Sequence, residues 1–168
     1  MPAFDVLDWR RLDATAIVTF GGLATVEEPR HDATRAWLLA EGYVIDTFDC
    51  QPGLSVSVPA LGRLLKWEEQ FGYELAPDSR NLDALRDGFD FPVVEGGRRV
   101  LEILRPDLAW REDQRWTCGL LSIAEEHCRA QLALGARFFS ILVVPEKSPF
   151  IGAVIIDQPV VPAPSWTP

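Results

Sequence analysis

The sequence predicts an α/β fold, a small, mainly parallel sheet packed with helices. Short β-rich runs alternate with stretches of helical period along most of the 168 residues. Apolar residues make up 48% of the chain, with six Trp and nine Phe, enough to bury a sizeable core. Gly21-Gly22, Gly42 and Gly135 stand at the ends of these runs, as turn punctuation does. The length fits one domain, or one domain with an elaboration.

The elements follow in order. Ala16–Phe20 (AIVTF) reads as a strand closed by Gly21-Gly22. His31–Glu41 has Ala33, Trp37, Leu38 and Ala40 near helical spacing and stops at Gly42. Tyr43–Phe48 is a second strand, so the three segments form a β-α-β pattern, which usually joins neighbouring parallel strands. Val58–Phe71 is a helix carrying Leu61, Leu64, Leu65 and Trp67, and Asn81–Phe89 is a shorter one. Arg99–Leu104 alternates apolar and polar residues and reads as a strand; Glu112-Asp113 lies in a polar loop after it. Trp116–Leu134 is a long helix stopped by Gly135, followed by the buried strand Phe138–Val144 and a further strand at Ala153–Ile156. The tail PVVPAPSWTP has four prolines, which do not continue a ladder or a helix, and reads as a disordered end or a surface strap held by Trp166.

Charge narrows the partners. Lys and Arg total 16 against 25 Asp and Glu, a formal charge of −9. That field repels phosphate backbones and anionic membranes and speeds encounter with a basic protein, so nucleic acid and membrane are not expected partners. Cys50, Cys118 and Cys128 form no CxxC and read as buried small hydrophobes. The start MPAFDVLDWRR lacks the regions of a signal peptide, and reduced cytoplasm is the expected compartment.

The most informative stretch is Pro77–Pro92, P-D-S-R-N-L-D-A-L-R-D-G-F-D-F-P. On a helix over Asn81–Asp90, Leu82, Leu85 and Phe89 form one buried stripe. Asp83, Asp87 and Asp90 form another at i, i+4 and i+7. Like charges one turn apart weaken a helix, and Asp87 and Asp90 lie towards its unfavourable end. Free-standing stability therefore does not account for the acidic stripe.

The run N-L-D-A-L-x-D, after a Pro-containing loop and a Leu-rich helix, resembles the signature of the barstar family of ribonuclease inhibitors. The order of elements from Tyr43 to Val144 resembles that family too. The resemblance implies a barstar-like domain over 43–145, an extra N-terminal β-α unit over 1–42 and a C-terminal strand and Pro-rich tail over 146–168. It implies no enzymatic activity and no cofactor. It implies an inhibitor or immunity protein whose acidic helix blocks the active site of a basic ribonuclease or toxin. Asp83 and Asp87 match the inhibitory carboxylates, and Leu82 and Leu85 the anchors of their helix. Asp78, Asn81, Arg86, Asp90 and Glu126 complete the expected contact surface. The chain departs from the pattern in three places: the loop Ala76–Arg80 has no aromatic and has Ser79 where the family has glycine; Arg86 replaces a Trp; and Ala130 replaces an acid of the last helix, with Glu126 one turn earlier. Arg86 is expected to pair with Asp83, Asp87 or Asp90 and mute the acidic surface. The alternative reading is an adaptor that keeps the fold and binds through its N-terminal unit or tail.

Other chemistry is thinly represented. His127 beside Cys128 suggests a Cys–His pair or metal site, but adjacent helical residues point apart, and the one other histidine is His31. Glu68-Glu69 and Glu125-Glu126 read as solvated faces, and Trp110 and Trp116 as core plugs.

Overall fold

The computed structural model describes residues 12–14, 17, 21–78, 81–94, 96–151, 154–155, 158–159 and 161–162. A helical turn, Leu12–Ala14 (α1), precedes strand Leu23–Glu27 (β1), a 3₁₀ turn at Glu28–Arg30 and helix His31–Ala40 (α2). Strand Val44–Asp49 (β2) leads into helices Leu54–Leu64 (α3), Trp67–Phe71 (α4) and Leu82–Gly88 (α5). Strand Arg98–Leu104 (β3), helices Pro106–Glu112 (α6) and Gln114–Ala133 (α7), and strand Arg137–Val144 (β4) follow. Short strands Val154–Ile155 (β5), Gln158–Pro159 (β6) and Val161–Pro162 (β7) end the described chain.

The main sheet has the order β2-β3-β4-β1-β7, and every pairing in it is parallel. The α/β class read from the sequence is therefore what the chain forms. Several elements differ from expectation. The strand expected at Ala16–Phe20 lies outside the described residues except for Ile17, and the first described strand is Leu23–Glu27. Gly21 and Gly22 do form a turn, with φ of 71° and 80°. A side chain at Gly22 would also collide with the sulfur of Cys128 on α7, so only glycine fits there. The β-α-β unit does not join neighbours: β1 and β2 are parallel, but β3 and β4 lie between them. The long Leu-rich helix is broken at Lys66, whose φ of 54° is left-handed, into α3 and α4. The loop expected after β3 contains α6. The tail does contribute to a ladder, because Val161 and Pro162 pair with Ala24 and Thr25 at the sheet edge, where a missing N–H is tolerated. Trp166 lies outside the described residues.

Register shows which residues share a face. Thr47, Glu102, Ile141 and Ala24 lie in one line across the sheet, on the side that α2 covers. The opposite side meets α5 to α7: Phe138 stacks on Phe91 at 5.6 Å, and Phe48 meets Trp116 at 6.4 Å. All eight residues of β4 are buried, as a central strand covered on both faces requires. On the α2 side, Asp13 accepts from Tyr43 Oη at 2.7 Å and from Arg137 at 3.3 Å, tying the N-terminal stretch to β4. Burial and Asp13 together push the Tyr43 phenol well above its ordinary pKa.

Candidate functional site

α5 begins just after Asn81, whose backbone is extended (φ −78°, ψ 114°). The Asn81 side-chain oxygen accepts from the amides of Asp83 at 2.9 Å and Ala84 at 3.4 Å, satisfying two donors that a helix start leaves open. Seven residues are too few to hold a helix by themselves, so packing must do it. Leu85 is buried, Leu82 lies over Gly119 of α7, and Phe89 and Phe91 enter the core just after the helix. Gly88 is pressed against Trp67 and Phe71, where an added Cβ would lie 2.5 Å and 2.6 Å from ring carbons. Gln70 Nε2 donates to the carbonyls of Leu65 at 2.6 Å and Gly88 at 3.2 Å, closing the other end. α5 is a short element pinned at both termini.

Its outer surface carries the residues singled out in the sequence. The side chain of Asp83 is 92% exposed. Asp87 is exposed and makes no hydrogen bond or ion pair among the described residues; Asp78, in the turn before α5, is exposed as well. Asp90 is exposed too, but α5 ends at Gly88, so Asp90 leaves the helical stripe and follows the turn in which its amide meets the Gly88 carbonyl at 2.9 Å. Two aspartates, not three, project from the helix. Ser79 and Arg80 lie outside the described residues.

Arg86 does not pair mainly with the aspartates of its own helix. Its Nε and Nη2 donate to the two carboxylate oxygens of Glu126 on α7 at 2.9 Å and 3.3 Å, with Asp83 further off at 3.8 Å. The hydrogen bond to Glu126 raises the guanidinium's pKa further, so Arg86 stays charged. The structure thus joins Arg86 on α5 with Glu126 on α7 and, more loosely, with Asp83; Asn81 caps the helix, and Asp78, Asp87 and Asp90 are exposed along the same stretch of chain.

The Arg86–Glu126 pair bridges a groove between the two helices. On one side a cleft of about 480 Å³ is lined by Asn81, Leu82, Asp83, Asp113, Arg115 and Trp116. On the other side a cleft of about 190 Å³ has Phe89, Ile123, His127 and Ala130 in its walls. Next to α5, Phe71 and Tyr73 are 37% and 52% exposed, with ring centroids 6.1 Å apart. These aromatics precede the loop in which the sequence shows none.

The remaining candidates have structural partners. His127 sits among Phe89, Phe91 and Phe138, with centroids 5.5, 6.3 and 4.6 Å away, and its Nε2 is 3.3 Å from the Phe91 carbonyl. Burial in that box lowers its pKa below 6.5. Cys128 is wholly buried against Gly22, and burial pushes its thiol up to about 12. Glu125 is buried and bonded to Arg129 rather than solvated as expected, whereas Glu126 is half-exposed. Trp116 is buried; Trp110 is partly buried and packs edge-on to Phe150 at 5.4 Å. Glu112 and Asp113 are both helix-terminal: Glu112 accepts from the Leu54 amide at 2.9 Å and Asp113 caps α7.

One polar cluster has no counterpart in the sequence reading. Glu102, 1% exposed in β3, meets His31 Nε2 at 2.6 Å, Arg35 Nη1 at 2.5 Å and Thr47 Oγ1 at 2.9 Å. His31 and Arg35 are one helical turn apart, a spacing that could have signalled a shared target. The target itself lies 67 residues beyond Arg35.

Neither family models, nor curated proteins, nor solved structures match this chain. No helix of the described residues is long and apolar enough to cross a membrane.

Proposed function

We propose that this chain is a barstar-like inhibitor or immunity protein that blocks a basic ribonuclease or other basic toxin. The reading rests on one observation: a short helix, pinned at both ends, offers Asp83 and Asp87 to solvent, Asp87 with no bonded partner among the described residues and Asp83 with Arg86 at 3.8 Å, a guanidinium whose hydrogen bonds go to Glu126 instead. A carboxylate that stabilised the fold would be answered internally, as Glu102 is. Preorganised carboxylates of this kind meet Arg, Lys or His groups that would otherwise bind phosphate, through charge-assisted hydrogen bonds. The formal charge of −9 adds steering towards a cationic face. Asp78, Asn81 and Asp90 extend the surface along the chain, and Arg86 and Glu126 border it. Phe71 and Tyr73 supply the apolar contact that the loop lacks.

The test is capture from the native cell's lysate and medium with tagged protein, read by mass spectrometry. Wild type is run beside Asp83→Ala/Asp87→Ala, with circular dichroism confirming the fold of both. The expected result is a basic nuclease or toxin held by wild type and lost from the variant. A partner held equally by both moves the interface elsewhere and favours an adaptor.

A further inference from the structure

We propose that the cleft where α3 gives way to α4 binds a free α-amino acid with an apolar side chain, its carboxylate accepting a hydrogen bond from Trp67 Nε1. The site uses no residue of the proposed inhibitory surface, so it stands or falls apart from that reading. The left-handed backbone at Lys66 breaks one Leu-rich helix into two, and a cleft of about 190 Å³ opens at the break. That is the space of about six waters, well below the ~300 Å³ of a drug-sized pocket, so the ligand is a small molecule. Gly62 and Leu75 are buried in its walls, and Gly62 admits no side chain, because a Cβ there would lie 2.8 Å from that of Leu75.

Trp67 decides the chemistry. It lines the cleft and is 1% exposed, yet its buried Nε1–H has no acceptor among the described residues. A buried donor left unmet is costly and rare in a folded protein. The indole turns its Cε3–Cζ3 edge to Gly88 on α5, so Nε1, on the opposite long edge, is left for the cleft. Around the rim, Arg63, Glu68 and Glu74 are exposed and make no side-chain hydrogen bond or ion pair among the described residues; Lys66 meets Glu69 only loosely at 3.8 Å. Two cations against three carboxylates suit neither a plain anion nor a plain cation. They suit a zwitterion, with its carboxylate held by Nε1 and Arg63 and its ammonium by Glu74. Pro59 and Leu75 receive the apolar side chain. Lys66 and Glu69, 69% and 73% exposed, are weakly held and part to admit the ligand to the buried N–H.

The probe is L-leucine, titrated into isotope-labelled full-length protein and followed by amide and indole resonances and calorimetry. Trp67→Phe, which keeps an aromatic ring in the core but no N–H, assigns the Trp67 indole signal. Leucine should shift that signal to saturation together with the amides of Gly62, Arg63 and Leu75. Two analogues divide the zwitterion. L-leucinamide lacks the carboxylate and should bind about tenfold more weakly, and N-acetyl-L-leucine lacks the ammonium and should bind about fivefold more weakly. Arg63→Gln and Glu74→Gln, both at exposed positions, should each weaken leucine binding about fivefold, and they carry the test if Trp67→Phe does not fold. Analogues that bind as well as leucine, rim variants that bind like wild type, or an indole signal that leucine leaves unmoved would overturn the site.

Discussion

Glu102 on one side of the sheet and Asp83 and Asp87 on the other are all carboxylates on regular elements, yet the molecule treats them in opposite ways. Glu102 is 1% exposed, and His31, Arg35 and Thr47 all reach it. A buried carboxylate without such partners would be too costly to keep. Asp83 is 92% exposed with one loosely placed cation, Arg86 at 3.8 Å, and Asp87 has no bonded partner among the described residues. Charge answered within the fold fastens α2 to the sheet. Charge left open on a pinned helix is available to another molecule.

The comparison can be broken most severely at Glu102. Glu102→Ala removes the acceptor shared by Arg35, His31 and Thr47, and should lower unfolding free energy by about 3 kcal/mol in urea titration. A loss within experimental error would mean that α2 does not depend on this cluster. Gly88→Ala comes next, since the new methyl meets Trp67 and Phe71; it should destabilise by about 2 kcal/mol and reduce partner capture by displacing α5. The pH dependence gives a smaller effect. Burial holds the folded pKa of His127 below its unfolded value, so the neutral ring is favoured by folding. Its contribution is fully present above about pH 6.5 and declines as pH falls through the unfolded pKa, where the unfolded state takes up a proton first. Asp90, which favours the charged ring, and Arg99, which opposes it, are the charged groups acting on it. His127→Phe should flatten the stability profile just below about pH 6.5, measured by thermal melts. An unchanged slope would assign the acid sensitivity elsewhere. The smallest effect belongs to Asp83→Ala/Asp87→Ala, which should alter stability by no more than about 0.5 kcal/mol per site.

The sequence revealed α5 better than its surroundings. Leu82, Leu85 and Phe89 marked its buried side, because periodicity is a local property, but the cap was expected within Pro77–Ser79 and is Asn81. The break at Lys66 was invisible, since a left-handed lysine carries no compositional signal. β1 was missed because Leu23–Glu27 is five residues long and follows a glycine pair that reads as the end of a strand. Glu102 stood in an alternating run that suggests one wet face. In a parallel sheet covered on both sides the polar position is buried instead and must find partners from another helix. Arg86 looked destined for an aspartate of its own helix, and its true partner lies 40 residues away on α7. Such long-range pairings depend on how the helices dock, which no local pattern encodes.

The central claim is that the α5 carboxylates serve a partner rather than the fold. The most direct measurement takes Asp83→Ala/Asp87→Ala and records both its urea unfolding curve and its binding to the basic protein captured by wild type. The account predicts near-wild-type stability together with lost binding, and a wild-type affinity that weakens as salt is raised. Retained, salt-insensitive binding would contradict it, as would a variant whose main defect is unfolding.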